Sequence, residues 1–95
     1  MLVLEGDLAT TRDAERISVT GAAAVQICTG RGCHLPAHLV EQSLEGQNLE
    51  DVEYLFVENV GNLVCPAGLD IGERHKVTVI SITEGEDKPL KYPFI

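Results

Sequence analysis

Aromatic residues are scarce in this chain of 95 residues: Phe and Tyr together make up 4% of it, and tryptophan is absent. Any core must therefore be packed from aliphatic side chains, and a hydrophobic content of 44% is enough for one small domain. Basic residues are few as well, with 7 Lys and Arg against 15 Asp and Glu and a net charge of −8. Nucleic acids and anionic membranes attract clustered positive charge, so we expect neither as a partner.

Long apolar runs are also missing. No stretch approaches the roughly 20 residues that cross a bilayer, and the opening MLVLEGDLATT has neither the basic segment nor the apolar length of a secretory signal. The three cysteines, Cys28, Cys33 and Cys65, form no regular disulfide framework. We therefore expect reduced thiols and a cytoplasmic location.

Short apolar runs alternate with helical segments along the chain. Strands are predicted at residues 2–4, 24–28, 54–57 and 76–82, and helices at 12–20, capped by Thr10 or Thr11, and from Leu35 or Pro36 to Gly46. Strands that lack clean alternation and are separated by helices favour parallel pairing with both faces covered. The predicted fold class is α/β, a mostly parallel sheet with flanking helices. Functional groups in such sheets collect at the carboxyl ends of the strands.

One such strand end carries adjacent metal-ligand residue types, Cys33 and His34, in the turn TGRGCHL, and Cys65 follows a different strand. Two thiolates and an imidazole form a partial ligand set for Zn²⁺ or Ni²⁺. The alternative is that the cysteines are buried apolar residues and that His34 caps a helix. His38, one turn after His34, is expected to be an exposed helix residue.

Carboxylates follow two other predicted strands. Glu58 leaves an apolar strand and precedes Gly61 by three residues, an arrangement that phosphate-switch proteins use to hold Mg²⁺ and to approach a terminal phosphate. The alternative is a plain turn. Asp7 could position a water or reach the metal of a nucleotide, or it could cap the next helix. The stretch 83–87 is most simply a solvated acidic loop.

Four segments occur in one order: EGDLATTRDAERI, TGRGCHL, ENVGNLVCPAGLDIGE and ITEGEDKPLKYP. Together they resemble the hydrogenase nickel-incorporation GTPases of the HypB type, across nearly the whole chain. The related urease accessory GTPases carry Cys-Pro-His where this chain has Cys33, His34 and Leu35.

The resemblance implies a P-loop-type, SIMIBI-like GTPase domain that dimerises and delivers nickel to the precursor of the hydrogenase large subunit, together with other nickel-maturation proteins. It implies Ni or Zn ligands at Cys33, His34 and Cys65. It also implies that Asp7 and Glu58 are catalytic residues with nucleotide and Mg²⁺ switch roles. Gly61 would lie near the γ-phosphate.

Two residues depart from the family pattern: Cys28 stands where Asn is expected, and Pro36 where an acid is expected. Cys28 could compete for metal or form a disulfide with Cys33. The larger departure is that no G-x-x-x-x-G-K-[ST] phosphate loop and no Asn-Lys-x-Asp motif occur in the 95 residues.

We therefore expect residues 1–95 to be a central part of such a GTPase domain, without its first strand and phosphate loop. This part should keep the metal ligands and lack GTP turnover, while the complete protein would hydrolyse GTP. Two alternatives stay open: a stand-alone protein that binds or buffers Ni²⁺ or Zn²⁺ without nucleotide, and an inert interaction fragment that dimerises through its sheet edge.

Overall fold

The computed structural model describes residues 1–7, 12–62 and 64–81. It contains a parallel sheet of three strands: β1 (Leu2–Asp7), β2 (Ala23–Cys28) and β3 (Leu55–Glu58), in the spatial order β2-β1-β3. Helix α1 (Arg12–Val19) connects β1 to β2, and helix α2 (Ala37–Glu45) lies between β2 and β3. The α/β class with a parallel sheet is confirmed.

The core lies on one face of β1. Leu4 is fully buried in the central strand and pairs in register with Val25 and Val57. Around Leu4 pack Ile27, Leu35 and Val40, the last from α2. Leu39 and Leu44 of α2 pack against the same core as Leu35.

The other face of β1 carries polar side chains. Glu5 lies on this face beside its register partners, Gln26 of β2 and Glu58 of β3. Alternate residues of a strand point to opposite faces, so this polar row is separated from Leu4 by the thickness of the sheet. Helix α1 packs against β1 and β2, and its crossover lies opposite that of α2 because β2 and β3 flank β1 on different sides.

Several predicted boundaries shift. The first strand does not end at Leu4 but continues through Glu5 and Gly6 to Asp7, because β2 supplies register partners as far as Asp7 and β3 supplies one for Glu5. The third strand begins at Leu55 and includes Glu58. Helix α2 begins at Ala37, one residue after Pro36.

The predicted fourth strand is wrong over the part that can be compared. Residues 76–81 form no strand, and the side chains of Val77 and Val79 are 83% and 87% exposed. The alternating Val and Thr residues fit a pleated, half-buried surface, but a strand also requires a neighbouring strand to pair with. This segment pairs with neither edge of the sheet over the described residues. The predicted caps Thr10 and Thr11 and the acidic loop 83–87 lie outside the described residues.

Candidate functional site

The carboxyl ends of the three strands meet at one edge of the sheet, as parallel pairing requires. Asp7, the last residue of β1, is the register partner of Cys28, the last residue of β2. Glu58, the last residue of β3, is the register partner of Glu5. The predicted switch residues Asp7 and Glu58 therefore end adjacent strands at the same edge.

A tight turn after β2 sets the position of the Cys-His pair. Thr29 N donates to Asp7 O at 2.8 Å, and Gly32 N donates back to Thr29 O at 3.1 Å. Gly30 has a φ of 65° in this turn, a left-handed conformation that side-chain-bearing residues rarely adopt. The turn fixes the chain after β2 to β1.

Cys33 and His34 are close to each other in this turn. The sulfur of Cys33 lies 4.0 Å from His34 Nδ1, and the Cys33 side chain is exposed. Leu35 immediately after them is fully buried in the core, so it anchors the pair. Leu35 N donates to Asn59 Oδ1 at 2.7 Å, which joins this turn to the loop after β3.

A second asparagine shapes the loop that carries Cys65. Asn62 Oδ1 accepts hydrogen bonds from Val64 N at 2.9 Å and Cys65 N at 3.0 Å. Its Nδ2 lies 3.4 Å from Cys65 Sγ and donates to it. One side chain thus fixes both the backbone and the thiol of Cys65.

The two loops bring the thiols of Cys65 and Cys33 together. A hydrogen bond with the Cys33 thiol, followed by partial burial, raises the pKa of Cys65 above its ordinary value, and the Asn62 amide partly offsets this. Cys33 therefore neighbours both His34 and Cys65. Over residues 1–7, 12–62 and 64–81, however, no three His, Cys, Asp or Glu side chains are arranged so that they could hold one metal ion.

The exposure of the cysteines tests the interpretation that they are buried apolar residues. Cys28 and Cys33 are exposed and Cys65 is half-buried, so the interpretation of them as buried apolar residues is wrong. The three thiols are free, and no disulfide joins Cys28 to Cys33. His38 is exposed on α2, as predicted.

Carboxylates crowd the β1–β3 part of the edge. Glu5 is 1% exposed. Burial, the hydrogen bond with the Glu58 carboxyl and the nearby charges of Asp13 and Asp7 raise the pKa of Glu5 from 4.5 to about 8. Gly61, three residues after Glu58, is exposed, and nothing among the described residues lies within 4 Å of where a β-carbon would stand. The backbone there is open to a ligand.

Gly6 allows the two strands and the Cys-His turn to approach closely. A β-carbon on Gly6 would lie 3.2 Å from Glu58 O and 3.3 Å from Leu35 Cδ2. Any larger residue would push apart the strand that ends in Glu58 and the leucine that anchors Cys33.

Polar contacts of Lys76 and Glu73 stabilise the loop beyond Cys65. Lys76 Nζ donates to Ala67 O at 3.0 Å and Leu69 O at 2.8 Å, and it lies 3.2 Å from Glu73 Oε1. The Glu73 carboxylate also accepts from its own backbone N–H and from Ile71 N, and these bonds lower its pKa to about 2. These contacts of Lys76 and Glu73 hold residues 66–76 as one loop next to Cys65.

Sequence reasoning missed three residues of this edge: Glu5, Asn59 and Asn62. The signal for the asparagines was present, because Asn in a loop directly after a strand often accepts bonds from nearby backbone N–H groups. Glu5 had a weaker signal, a single acid within an otherwise apolar strand.

Residues 1–90 match the model of the protein family described as CobW/HypB/UreG, nucleotide-binding domain. The hydrogenase maturation factor HypB of Rhizobium leguminosarum bv. viciae is 63% identical over 91 residues, which are 96% of this chain and 30% of that protein. The chain thus spans about a third of the length of such curated relatives.

Two solved structures are similar throughout. The crystal structure of HypB from Helicobacter pylori in complex with nickel has a TM-score of 0.89 and 45% identity, and it covers 98% of this chain and 45% of that one. The structure of the hydrogenase maturation factor HypB from Archaeoglobus fulgidus has a TM-score of 0.82 and 40% identity, with 99% and 45% coverage. Over the described residues, no helix is long and apolar enough to cross a membrane.

Proposed function

The chain belongs to the CobW/HypB/UreG nucleotide-binding domain family, and we propose that it is the switch and metal-binding part of a GTP-dependent nickel metallochaperone for [NiFe]-hydrogenase maturation. The observation that carries the proposal is the contact of Cys33 with both His34 and Cys65. It is supported by the likeness to a HypB whose structure is described as a complex with nickel.

The donor atoms fit the proposed cargo. Thiolate sulfur and imidazole nitrogen suit Ni²⁺ and Zn²⁺ alike. Cys33 and Cys65 offer two thiolates, and His34 offers one imidazole. Because these three do not converge on one point in the described part of the chain, binding would draw the His34 ring and the two thiols together. A fourth position is then left for water or for a group from a second copy, which is consistent with a proposed homodimer.

The proposed switch uses the carboxylates at the strand ends. Asp7 and Glu58 would hold the Mg²⁺ that accompanies GTP and would orient the water that attacks the γ-phosphate. The open backbone at Gly61 leaves room for that phosphate. Mg²⁺ would supply charge neutralisation of the phosphates. Since the 95 residues hold no phosphate-loop motif, we propose that GTP turnover belongs to the complete protein, in the cytoplasm, with other nickel-maturation proteins and the hydrogenase large-subunit precursor as partners.

The two loops connect these sites. Asn59 directly follows Glu58 and accepts a hydrogen bond from Leu35, two residues after Cys33. A shift of the loop after β3 would therefore displace the Cys-His turn at the same time. In the proposed cycle, this link would couple the state of the nucleotide to the affinity for nickel.

Titration of the reduced chain with Ni²⁺, followed through the thiolate-to-nickel absorption, tests the metal proposal. We expect saturable binding at one ion per chain or per two chains, with Cys33→Ala and Cys65→Ala each weakening it by at least about tenfold, since each removes a ligand. Cys28→Ala is the matched control and should bind as the wild type does. Equal affinity in all four chains would contradict the proposal.

The switch proposal has its own test. In the complete protein, Asp7→Asn and Glu58→Gln should each lower GTP hydrolysis by about a hundredfold, because each removes a carboxylate proposed to hold Mg²⁺ and to orient the attacking water. Glu45→Gln, which changes an exposed carboxylate at the end of α2, should leave the rate unchanged. Hydrolysis that is unaffected by Glu58→Gln would remove Glu58 from the switch.

A further inference from the structure

The outer side of β3 is an exposed and apolar strand edge. In the described sheet, β3 is an end strand that pairs with β1 alone, so its outer N–H and C=O groups are open to another strand. Tyr54, just before β3, is 64% exposed, and Leu55 and Phe56 within it are 42% and 53% exposed. Proteins often protect such an edge with Lys or Pro, and β3 contains neither.

A cleft runs along this edge and is apolar on both sides of the sheet. It has a volume of about 1320 Å³, and Ile17 of α1 and Val40 and Leu44 of α2 are among the residues that line it. The two helices lie on opposite faces of the sheet. A strand seated beside β3 would therefore be covered on both faces, which suits a segment with apolar residues on each of its own faces.

Residues 76–81 have this character. Val77 and Val79 would lie on one face of such a strand and Ile80 on the other. The segment forms no strand, each of its residues is exposed, and Val77 and Val79 line the same cleft as β3. One chain thus carries both an open strand edge and a segment of strand composition that is paired with neither edge of the described sheet.

The segment is anchored at one end and exposed beyond it. Lys76 Nζ donates to Ala67 O and Leu69 O, which fixes the start of the segment to the loop before it. Because the side chains that follow Lys76 are exposed, moving them uncovers no buried surface. This is the arrangement of an arm that can exchange between two copies of a chain at little cost.

Charge favours pairing of this segment with β3. Exposed acids, Glu53 and Glu58, stand at both ends of the strand. Arg74, just before the segment, is exposed and forms no ion pair within the described part of the chain. It would therefore meet an acid whichever way the segment runs. Most other contacts between two chains of net charge −8 would bring like charges together.

We infer that two copies of this chain exchange residues 76–81, so that the segment of each copy pairs with β3 of the other. The arrangement is closed and twofold symmetric, because each copy offers one edge and one segment. It adds a fourth strand to each described sheet and covers Phe56 and Val79. The contact needs no metal ion, so it is separate from the homodimer proposed at the nickel site.

Sedimentation of the reduced chain in EDTA tests this inference at concentrations from about 1 µM to 1 mM, the range of weak protein association. We expect a reversible monomer–dimer equilibrium. Phe56→Lys and Val79→Lys should each raise the dissociation constant at least about tenfold, because each places a charge inside the contact. Val19→Lys is the matched control, since it changes an apolar residue on α1 that is 88% exposed. A chain that stays monomeric, or a dimer that neither substitution weakens, would overturn the inference.

An equimolar mixture of Phe56→Lys and Val79→Lys distinguishes exchange from other contacts. In a mixed dimer, β3 of the Val79→Lys chain meets the segment of the Phe56→Lys chain, and neither of these carries a substitution. The mixture should therefore dimerise more tightly than either variant alone. If β3 paired with β3 instead, Val79→Lys would dimerise as the wild type does, which would overturn the inference.

Amide hydrogen exchange locates the contact. Residues 54–58 and 76–81 should both be protected at high concentration and lose this protection on dilution. Protection of both in a monomer would mean that the segment pairs within its own chain, and a lack of protection in both would leave the edge to a different strand; either result would overturn the inference.

Circular dichroism checks that the variants fold. The substituted residues are exposed, and Leu55→Lys or Val77→Lys replaces a variant that does not fold. Because the samples contain neither nickel nor nucleotide, a failure here would leave the proposed GTPase and nickel functions untouched.

Discussion

Asn59 Oδ1 accepts a hydrogen bond from Leu35 N at 2.7 Å, and this bond joins the loop after β3 to the loop after β2. The same oxygen accepts from Val60 N at 2.9 Å. Leu35 is fully buried and Val60 nearly so. One amide oxygen therefore satisfies two backbone N–H groups at the point where the Cys33 and Cys65 loops diverge from the sheet.

Replacing Asn59 tests this junction. Asn59→Ala leaves both N–H groups without that acceptor, so we expect the free energy of unfolding to fall by about 1–3 kcal/mol and Ni²⁺ to bind more weakly. Asn59→Asp keeps an acceptor oxygen and serves as the matched control. Chemical denaturation and Ni²⁺ titration measure the two effects. If Asn59→Ala is as stable as Asn59→Asp, the side chain does not hold the loops together.

The contact between the two thiols predicts a change in reactivity. Cys33 raises the pKa of Cys65, so Cys33→Ala should lower it and increase the thiolate fraction at neutral pH. The thiolate is the species that reacts, and alkylation of Cys65 by iodoacetamide, followed by mass spectrometry against pH, should therefore become faster. Cys28→Ala should leave the rate unchanged. A slower reaction in Cys33→Ala would mean that the two sulfurs do not meet.

Close packing at Gly6 predicts a loss of stability. Gly6→Ala would place a β-carbon 3.2 Å from Glu58 O and 3.3 Å from Leu35 Cδ2, and forcing these apart should cost about 1–3 kcal/mol. Gly46→Ala is the control, because nothing among the described residues lies within 4 Å of its β-carbon and its φ is −88°. Urea denaturation of the two variants should separate them, and equal stabilities would show that β1 and β3 can yield at this point.

The buried Glu5 predicts how stability depends on pH. Its pKa is raised from 4.5 to about 8, so between these values the folded chain holds one proton more than the unfolded chain. Stability should therefore fall as pH rises through this window, with a contribution of about 1.4 kcal/mol per pH unit, and then level off above it.

Glu5→Gln should remove that part of the pH dependence, and Glu45→Gln, at an exposed residue, should not. Denaturation curves of the three chains from mildly acidic to mildly alkaline pH give the comparison. Identical slopes for wild type and Glu5→Gln would mean that Glu5 ionises alike in the folded and unfolded chains.

The order of the first five helices and strands could be predicted from the sequence. Apolar runs at residues 2–4 and 24–28 form the two strands that share the longest register, and the second helix lies between the second and third strands as predicted. These local predictions hold because the apolar residues that form the patterns are also buried in the folded chain. The segment 76–81 has an equally clear β pattern and forms no strand, because pairing depends on a neighbour that no local pattern specifies.

The candidate site was only partly predictable for a similar reason. Cys33, His34 and Cys65 stand out by residue type, and the structure brings Cys33 next to each of the others. The contacts that achieve this come from Asn59, which accepts from Leu35 N in another loop, and from Asn62, which accepts from Cys65 N in its own loop. The Asn62 bonds are local, but the partner of Asn59 depends on where two loops meet in space and leaves no spacing rule in the sequence.

X-ray absorption at the nickel edge, on the reduced chain loaded with one equivalent of Ni²⁺, identifies the atoms that bind nickel. We expect sulfur and imidazole nitrogen as direct ligands of nickel, with the sulfur contribution reduced in Cys33→Ala and in Cys65→Ala but not in Cys28→Ala. A first shell of oxygen and nitrogen alone, or a spectrum that none of these substitutions changes, would contradict a nickel site at Cys33, His34 and Cys65.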